Sequence, residues 1–156
     1  MTATDFEIAH PASLVEWDAP DGRSLRIVVQ EQTGLGPLEE VASLGLQARK
    51  IIAGASDRTF EIHWQIVVCF AVRGDPFPNE GLSVKTIVEA DTNSPFMTWV
   101  RATSHAEPDY VAAMTDGKRT PSPLRHWVIS TGDYHIDIAS PDAPAIAEVA
   151  RRACGD

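Results

Sequence analysis

Residues 59 to 73, TFEIHWQIVVCFAVR, alternate without a break, with Phe60, Ile62, Trp64, Ile66, Val68, Phe70 and Val72 on one side. Successive strand side chains point to opposite faces, so period two over this length predicts a β-strand. The other side runs Glu61, His63, Gln65, Val67, Cys69, Ala71, Arg73, polar at first and then small and apolar. Its later half is therefore expected beneath a helix or a partner, and its earlier half beside water or a cleft. A strand this long twists or bends strongly, so its two ends need not meet the same neighbours.

The other elements follow from periodicity and turn chemistry. LVEW and SLRIVVQEQ flank DAPDGR, where Pro pre-sets its own φ and Gly accepts a positive one, which predicts a hairpin. Leu38, Val41, Leu44, Ala48 and Ile51 or Ile52 fall on one helical face, with Glu39 and Glu40 in the first turn, Arg49 and Lys50 in the last and Gly54 beyond. This spacing and charge order predict a helix over 37–53. LSVKTIVEA reads as a strand, and Ser94 before Pro95 as the N-cap of a short helix through Phe96, Met97 and Val100. Residues 105–123 read as loop with a helical turn near DYVAAM. SPDAPAIAEVARRA predicts a terminal helix capped by Asp142 that packs Ile146, Val149 and Ala150. The expected architecture over residues 1–156 is a single α+β domain, a mainly antiparallel twisted sheet packed on one face by helices.

LRHWVISTGDYHIDIAS, residues 124 to 140, carries most of the candidate chemistry. Gly132-Asp133 matches a two-residue loop of the II′ kind. The resulting register places Ser130 opposite His135, Val128 opposite Asp137, Trp127 opposite Ile138 and His126 opposite Ala139. Trp127, Ile129, Ile136 and Ile138 then form the core face, while His126, Val128, Ser130, His135 and Asp137 share the other. The two histidines stand about 13 Å apart along the strands and cannot share a metal ion. Asp137 is diagonal to His126, within the roughly 7 to 8 Å reach of such neighbours. A His126–Asp137 pair, with His135 nearby, is the catalytic candidate: the carboxylate would orient an imidazole acting as general base. An exposed face of alternating polar residues explains the same pattern, and is the plainer account. Glu61, His63, Gln65 and Ser130 are binding candidates if the long strand adjoins this hairpin. A metal site from Glu61, His63, His135 and Asp137 would need that adjacency and has no compact ligand motif behind it, so no metal and no cofactor is assigned.

Composition narrows the partners. A formal charge of -9, from 22 acids against 13 bases, disfavours nucleic acid, whose phosphates are held chiefly by Lys and Arg. The longest apolar run, IVVCFAV, is far too short to span a bilayer, and MTATDFEIAHPASL has neither a basic nor an apolar leader region, so no membrane and a cytoplasmic location are expected. Cys69 and Cys154 form no paired metal spacing, and Cys69 in a strand reads as inert packing. Ser130 lacks the nucleophile-elbow pattern of hydrolases, and no phosphate-binding glycine motif occurs. Arg73-Gly74-Asp75 spells an adhesion tripeptide that occurs freely by chance.

FEIHWQIVVCFAVRGD, followed some fifty residues on by LRHWVISTGDYHIDIAS, is similar to a family of small uncharacterised microbial proteins. That resemblance covers about half of the chain and departs from the family at Arg73-Gly74-Asp75, where Asn-Glu is expected. It implies one compact fold and transfers no catalytic residue. The functional expectation is a binding or assembly module forming a homo-oligomer, because Val67, Cys69 and Ala71 need cover. A small-molecule ligand is a further expectation. The rival is a small enzyme with an acid-base or metal-assisted pocket around Glu61, His63, His126, His135 and Asp137.

Overall fold

The computed structural model describes residues 12–41, 46–52, 54, 57–74, 87–90, 93–104, 122–132 and 134–150. Among them the chain forms ten strands and one helix. The first sheet has the order β1 (Ala12–Asp18), β2 (Leu25–Glu31), β5 (Thr59–Trp64), β10 (Ala145–Val149). The second has the order β6 (Cys69–Gly74), β9 (Tyr134–Ser140), β8 (Arg125–Ser130), β7 (Ile87–Ala90). A separate hairpin pairs β3 (Gly34–Val41) with β4 (Leu46–Ile52), and α1 covers Pro95–Ser104. Every strand pair is antiparallel.

The α+β expectation, a sheet packed on one face by helices, is thereby corrected: the protein is mainly β, and its two four-stranded sheets pack on each other. Leu25, Ile27, Val29, Phe60, Ile62 and Trp64 from the first sheet meet Trp127, Ile129, Ile136 and Ile138 from the second in one core. Alternation puts these residues inward and their neighbours outward, as two stacked sheets require. Trp64 and Trp127 are both fully enclosed, so the apolar sides of the two ribbons do point inward together.

Two expected helices are strands. Over 37–53 the chain turns back as the β3–β4 hairpin, with Glu39 opposite Ala48 and Val41 opposite Leu46. Apolar residues three and four apart suit a helix, but Gly45 lies in the middle of the stretch and weakens one. Pro37 falls where the register shifts between Leu35 and Leu38, at a bulge that asks no ladder hydrogen bond of it. Asp57 then ties the hairpin to the body, accepting hydrogen bonds from the Thr33 amide and hydroxyl and from the Gly54 amide. At the end of the chain, Ala145–Val149 pairs with β5 instead of coiling, Ile146 opposite Ile62. Unpaired edge positions beside β5 hold a five-residue strand there, where an isolated short helix would have to pay its own nucleation cost.

The DAPDGR hairpin is present. Gly22 takes φ 67°, and Asp21 accepts hydrogen bonds from the Ser24 amide, the Arg23 amide and the Ser24 hydroxyl. Those donors hold its carboxyl down at about 2. The 124–140 hairpin also has the expected register throughout. Its turn differs: Gly132 has no positive φ, so the II′ form is absent. The Thr131 side chain closes the loop on Tyr134 instead, through hydrogen bonds of 3.0 Å to its amide and its carbonyl. LSVKTIVEA contributes β7 at its end, while residues 82–86 and the DYVAAM turn lie outside the described residues.

The long alternating run is two strands in two sheets. Between Trp64 and Cys69 the chain crosses from one layer to the other, and consecutive amides bond to different sides: Val67 N–H to the Arg23 carbonyl (2.6 Å), Val68 N–H to the Ala139 carbonyl (2.9 Å). The alternation breaks locally there, since Val67 enters the main core while Val68 and Cys69 lie against Met97, Val100, Leu124 and Ala139 under α1, and Phe70 then faces the main core again. The chain crosses back just after β9. Ser140, fully buried, clamps both crossings: its hydroxyl reaches the Ile66 carbonyl (2.7 Å) and the Asp142 carbonyl (3.0 Å), and it accepts the Asp142 N–H (3.1 Å).

Removing this hydroxyl strands buried backbone groups. Ser140→Ala is expected to lower the unfolding free energy by about 1–3 kcal/mol, read as a lower urea midpoint with an unchanged m-value. An unaltered midpoint would show that the crossings hold without the clamp.

Candidate functional site

The outer face of the second sheet carries the candidate chemistry, and α1 decides how much of it meets water. Ser94 caps α1, its Oγ accepting the Met97 N–H at 3.2 Å. Met97 and Val100 turn into the sheet, and Phe96 lies over His126 with ring centroids 4.9 Å apart. The helix therefore covers His126 and shields the Cys69 end of β6. Burial pushes the Cys69 thiol upward, away from thiolate chemistry.

His126 on β8 and Asp137 on β9 are diagonal neighbours, as the register requires. Nε2 of His126 stands 3.0 Å from Asp137 Oδ1, and Nδ1 stands 2.9 Å from Ser94 Oγ. The second carboxylate oxygen of Asp137 accepts the Nε–H of Arg73 at 2.7 Å. An ionised carboxylate accepts only, so in the neutral imidazole the proton on Nε2 points to Asp137 and Nδ1 presents its lone pair to the Ser94 hydroxyl. The order of donation is then Met97 N–H to Ser94 Oγ, Ser94 O–H to His126 Nδ1, and His126 Nε2–H with Arg73 Nε–H to Asp137. The side chains of His126 and Asp137 are each only 5% exposed. Burial alone raises the carboxyl pKa of Asp137, but hydrogen bonds from His126 and Arg73, and their charges, outweigh it and hold the group below the ordinary carboxylate range.

The remaining candidates lie elsewhere. His135 sits at the far end of the hairpin, its Nδ1 3.0 Å from Ser130 Oγ. Glu61 and His63 belong to β5, on the outer face of the first sheet, so the body of the sandwich separates them from Asp137. Glu61 there accepts the Nε–H of Arg26 at 2.7 Å, while Glu16 accepts from the same guanidinium at 2.8 Å. Gln65 is exposed in the crossing after β5. Only the first half of the long run lies in that sheet; its second half, β6, does adjoin the hairpin. The five titratable groups consequently form no common pocket, and the considered metal-ligand set is not assembled. Among the described residues no group of three or more His, Cys, Asp and Glu side chains could hold a metal ion.

In the sequence Ser94 stands out only as a cap, and Arg73 only as the end of the second face of the long run and as part of a tripeptide. Neither link to the His126–Asp137 pair has a local signal, since Ser94 is 32 residues from His126 and Arg73 is 64 from Asp137. The periodicity of β6 and β9 does put Arg73 and Asp137 on one face, which is the one trace of the contact available beforehand.

A depressed folded-state pKa means that Asp137 contributes stability fully above the unfolded carboxylate value of about 3.9. That contribution is lost as pH falls through the lower folded value. Urea midpoints should accordingly place Asp137→Asn below the wild type near neutrality, with the gap closing as the solution is acidified below about pH 4. A gap that stays constant would show that this carboxylate does not couple folding to protons. Comparison of the chain with known protein families, with curated proteins and with solved structures finds no match in any of the three.

Proposed function

We propose that this protein is a binding and assembly module that pairs with a second copy of itself along the outer edge of β6. A sheet edge offers unpaired N–H and C=O groups to another strand, and folded proteins usually blunt such edges with bulges, prolines or charges. Among the described residues, three of the four edges of the two four-stranded sheets are blunted. β1 has a register shift between Leu14 and Glu16, β10 follows Pro144 and exposes Glu148, and β7 exposes Glu89.

β6 is the exception, and this carries the reading. Its pairing with β9 runs without a shift from Cys69 to Gly74, and it carries Phe70 and an exposed Val72. Trp17 of β1, 47% exposed, stands edge-on to Phe70 at 5.2 Å and widens the apolar strip. The one charge on the strand, Arg73, is engaged by Asp137.

Val67 and Cys69, expected to need cover from a partner, are covered by the core and by α1 of the same chain. The strip at Phe70 and Val72 lies at the edge of the sheet. A hollow beside Arg23, Ser24, Val67 and Phe70 measures about 210 Å³, below the roughly 300 Å³ at which ordinary ligand pockets begin. Antiparallel pairing of two β6 edges would give a two-fold dimer with a continuous eight-stranded sheet.

Light scattering across a concentration series is expected to show a dimer. Val72→Lys should weaken it at least tenfold while leaving the far-ultraviolet circular dichroism intact. Two chains of charge -9 repel each other, so added salt should strengthen the dimer. A wild-type monomer at every concentration and salt level would overturn the reading.

A further inference from the structure

We propose that Ser94, His126 and Asp137 also form a hydrolytic triad, acting on esters of small apolar acids. The site is distinct from the β6 edge and does not depend on assembly there.

The geometry carries three parts of such a centre. The nucleophile-to-base distance is 2.9 Å and the base-to-carboxylate distance 3.0 Å, both within the hydrogen-bond reach that a triad needs. The donor order already aims the Ser94 proton at an imidazole lone pair. Here Nδ1 faces the serine and Nε2 the carboxylate; proton transfer requires only that one ring nitrogen meet the hydroxyl while the other is held by the acid. Capping by itself explains less. A cap uses an Oγ lone pair, which Met97 N–H takes, and makes no demand that the hydroxyl hydrogen point to a histidine braced by a buried aspartate.

Two features beside Ser94 indicate the substrate class. The hydroxyl lies at the N-terminus of the ten-residue α1, where first-turn amides lack intrahelical acceptors and the helix dipole favours negative charge. An oxyanion forming on an acyl carbon attacked by Ser94 would develop at that end, with the Phe96 N–H nearest in sequence. Next to it, half-buried Phe96 and 52%-exposed Trp99 stand 6.2 Å apart as an aromatic ledge. An aromatic ledge suits a short apolar acyl chain.

The reaction balances without a further reactant besides water. Ser94 Oγ bonds to the acyl carbon as its proton passes to His126 Nδ1, and the carbon–oxygen bond to the leaving alcohol breaks as that proton passes to the alcohol. Water, deprotonated by His126, then attacks the acyl-serine and releases the acid, returning the proton to Ser94. Asp137, braced by Arg73, holds the imidazole in the required tautomer throughout.

The test uses the full-length protein with p-nitrophenyl acetate, p-nitrophenyl butyrate and an alkyl fluorophosphonate. Expected are covalent labelling mapped to Ser94 by mass spectrometry and release of p-nitrophenol. Ser94→Gly keeps an acceptable cap and should abolish labelling and cut hydrolysis at least a hundredfold, with circular dichroism unchanged. Trp99→Ala should raise KM for the butyrate several-fold more than for the acetate and leave kcat within about twofold. Absence of label on Ser94 in the wild type, or equal hydrolysis by the wild type and Ser94→Gly, would overturn the proposal.

Discussion

The fold depends on a pair of crossings between layers, held by one hydroxyl. The chain leaves the first sheet after Trp64 and returns to it after Ser140, and both passages run side by side where Ser140 bonds the backbone of each. Backbone polar groups inside a protein must find partners, and a chain passing from one sheet to another leaves the ladders that normally supply them. Ser140, Arg23 and Ala139 supply those partners here. Without them β5 and β6 could not belong to different sheets while only four residues separate them, and the two inner faces would have no common core.

The same crossings place the polar face of the hairpin. Once β6 lies beside β9, Arg73 comes within reach of Asp137, and α1 settles on the other end of that face with Ser94 against His126. The result contrasts with the main core. The indole N–H groups of Trp64 and Trp127 are buried and meet no hydrogen-bond partner among the described residues. In the Ser94–His126–Asp137–Arg73 chain the imidazole nitrogens and carboxylate oxygens all have partners. A satisfied buried network rigidifies its members in one geometry, which is the preorganisation that proton transfer requires.

Much of this was legible in the chain. The alternation of Trp127, Ile129, Ile136 and Ile138 fixes the hairpin register, and with it the diagonal approach of His126 to Asp137. Asp21 with Gly22 marks the first hairpin, and Ser94 with Pro95 marks the start of α1. Local chemistry decided these features, because turns and caps are closed by residues within a few positions of each other. Over 37–53 and 145–149 the same kind of reasoning failed. Spacings of three and four satisfied a helix, while edge positions next to Thr59–Trp64 and the anchoring of Asp57 to Thr33 favoured strands. Propensity differences of a fraction of a kcal/mol per residue yield to such tertiary pairing.

What the sequence by itself determined is therefore the set of inward and outward faces within each ribbon, since side-chain direction follows from strand period alone. What the tertiary structure decided is which ribbons are neighbours. Alternation from Phe60 to Val72 reads the same whether the chain stays in one sheet or crosses between two, because the break falls within Ile66, Val67 and Val68, apolar at every position, and Phe70 faces the core again. Only the packing of Val67 into one cluster and Val68 into another, with their amides bonded to different sides, separates Glu61 and His63 from His126 and Asp137.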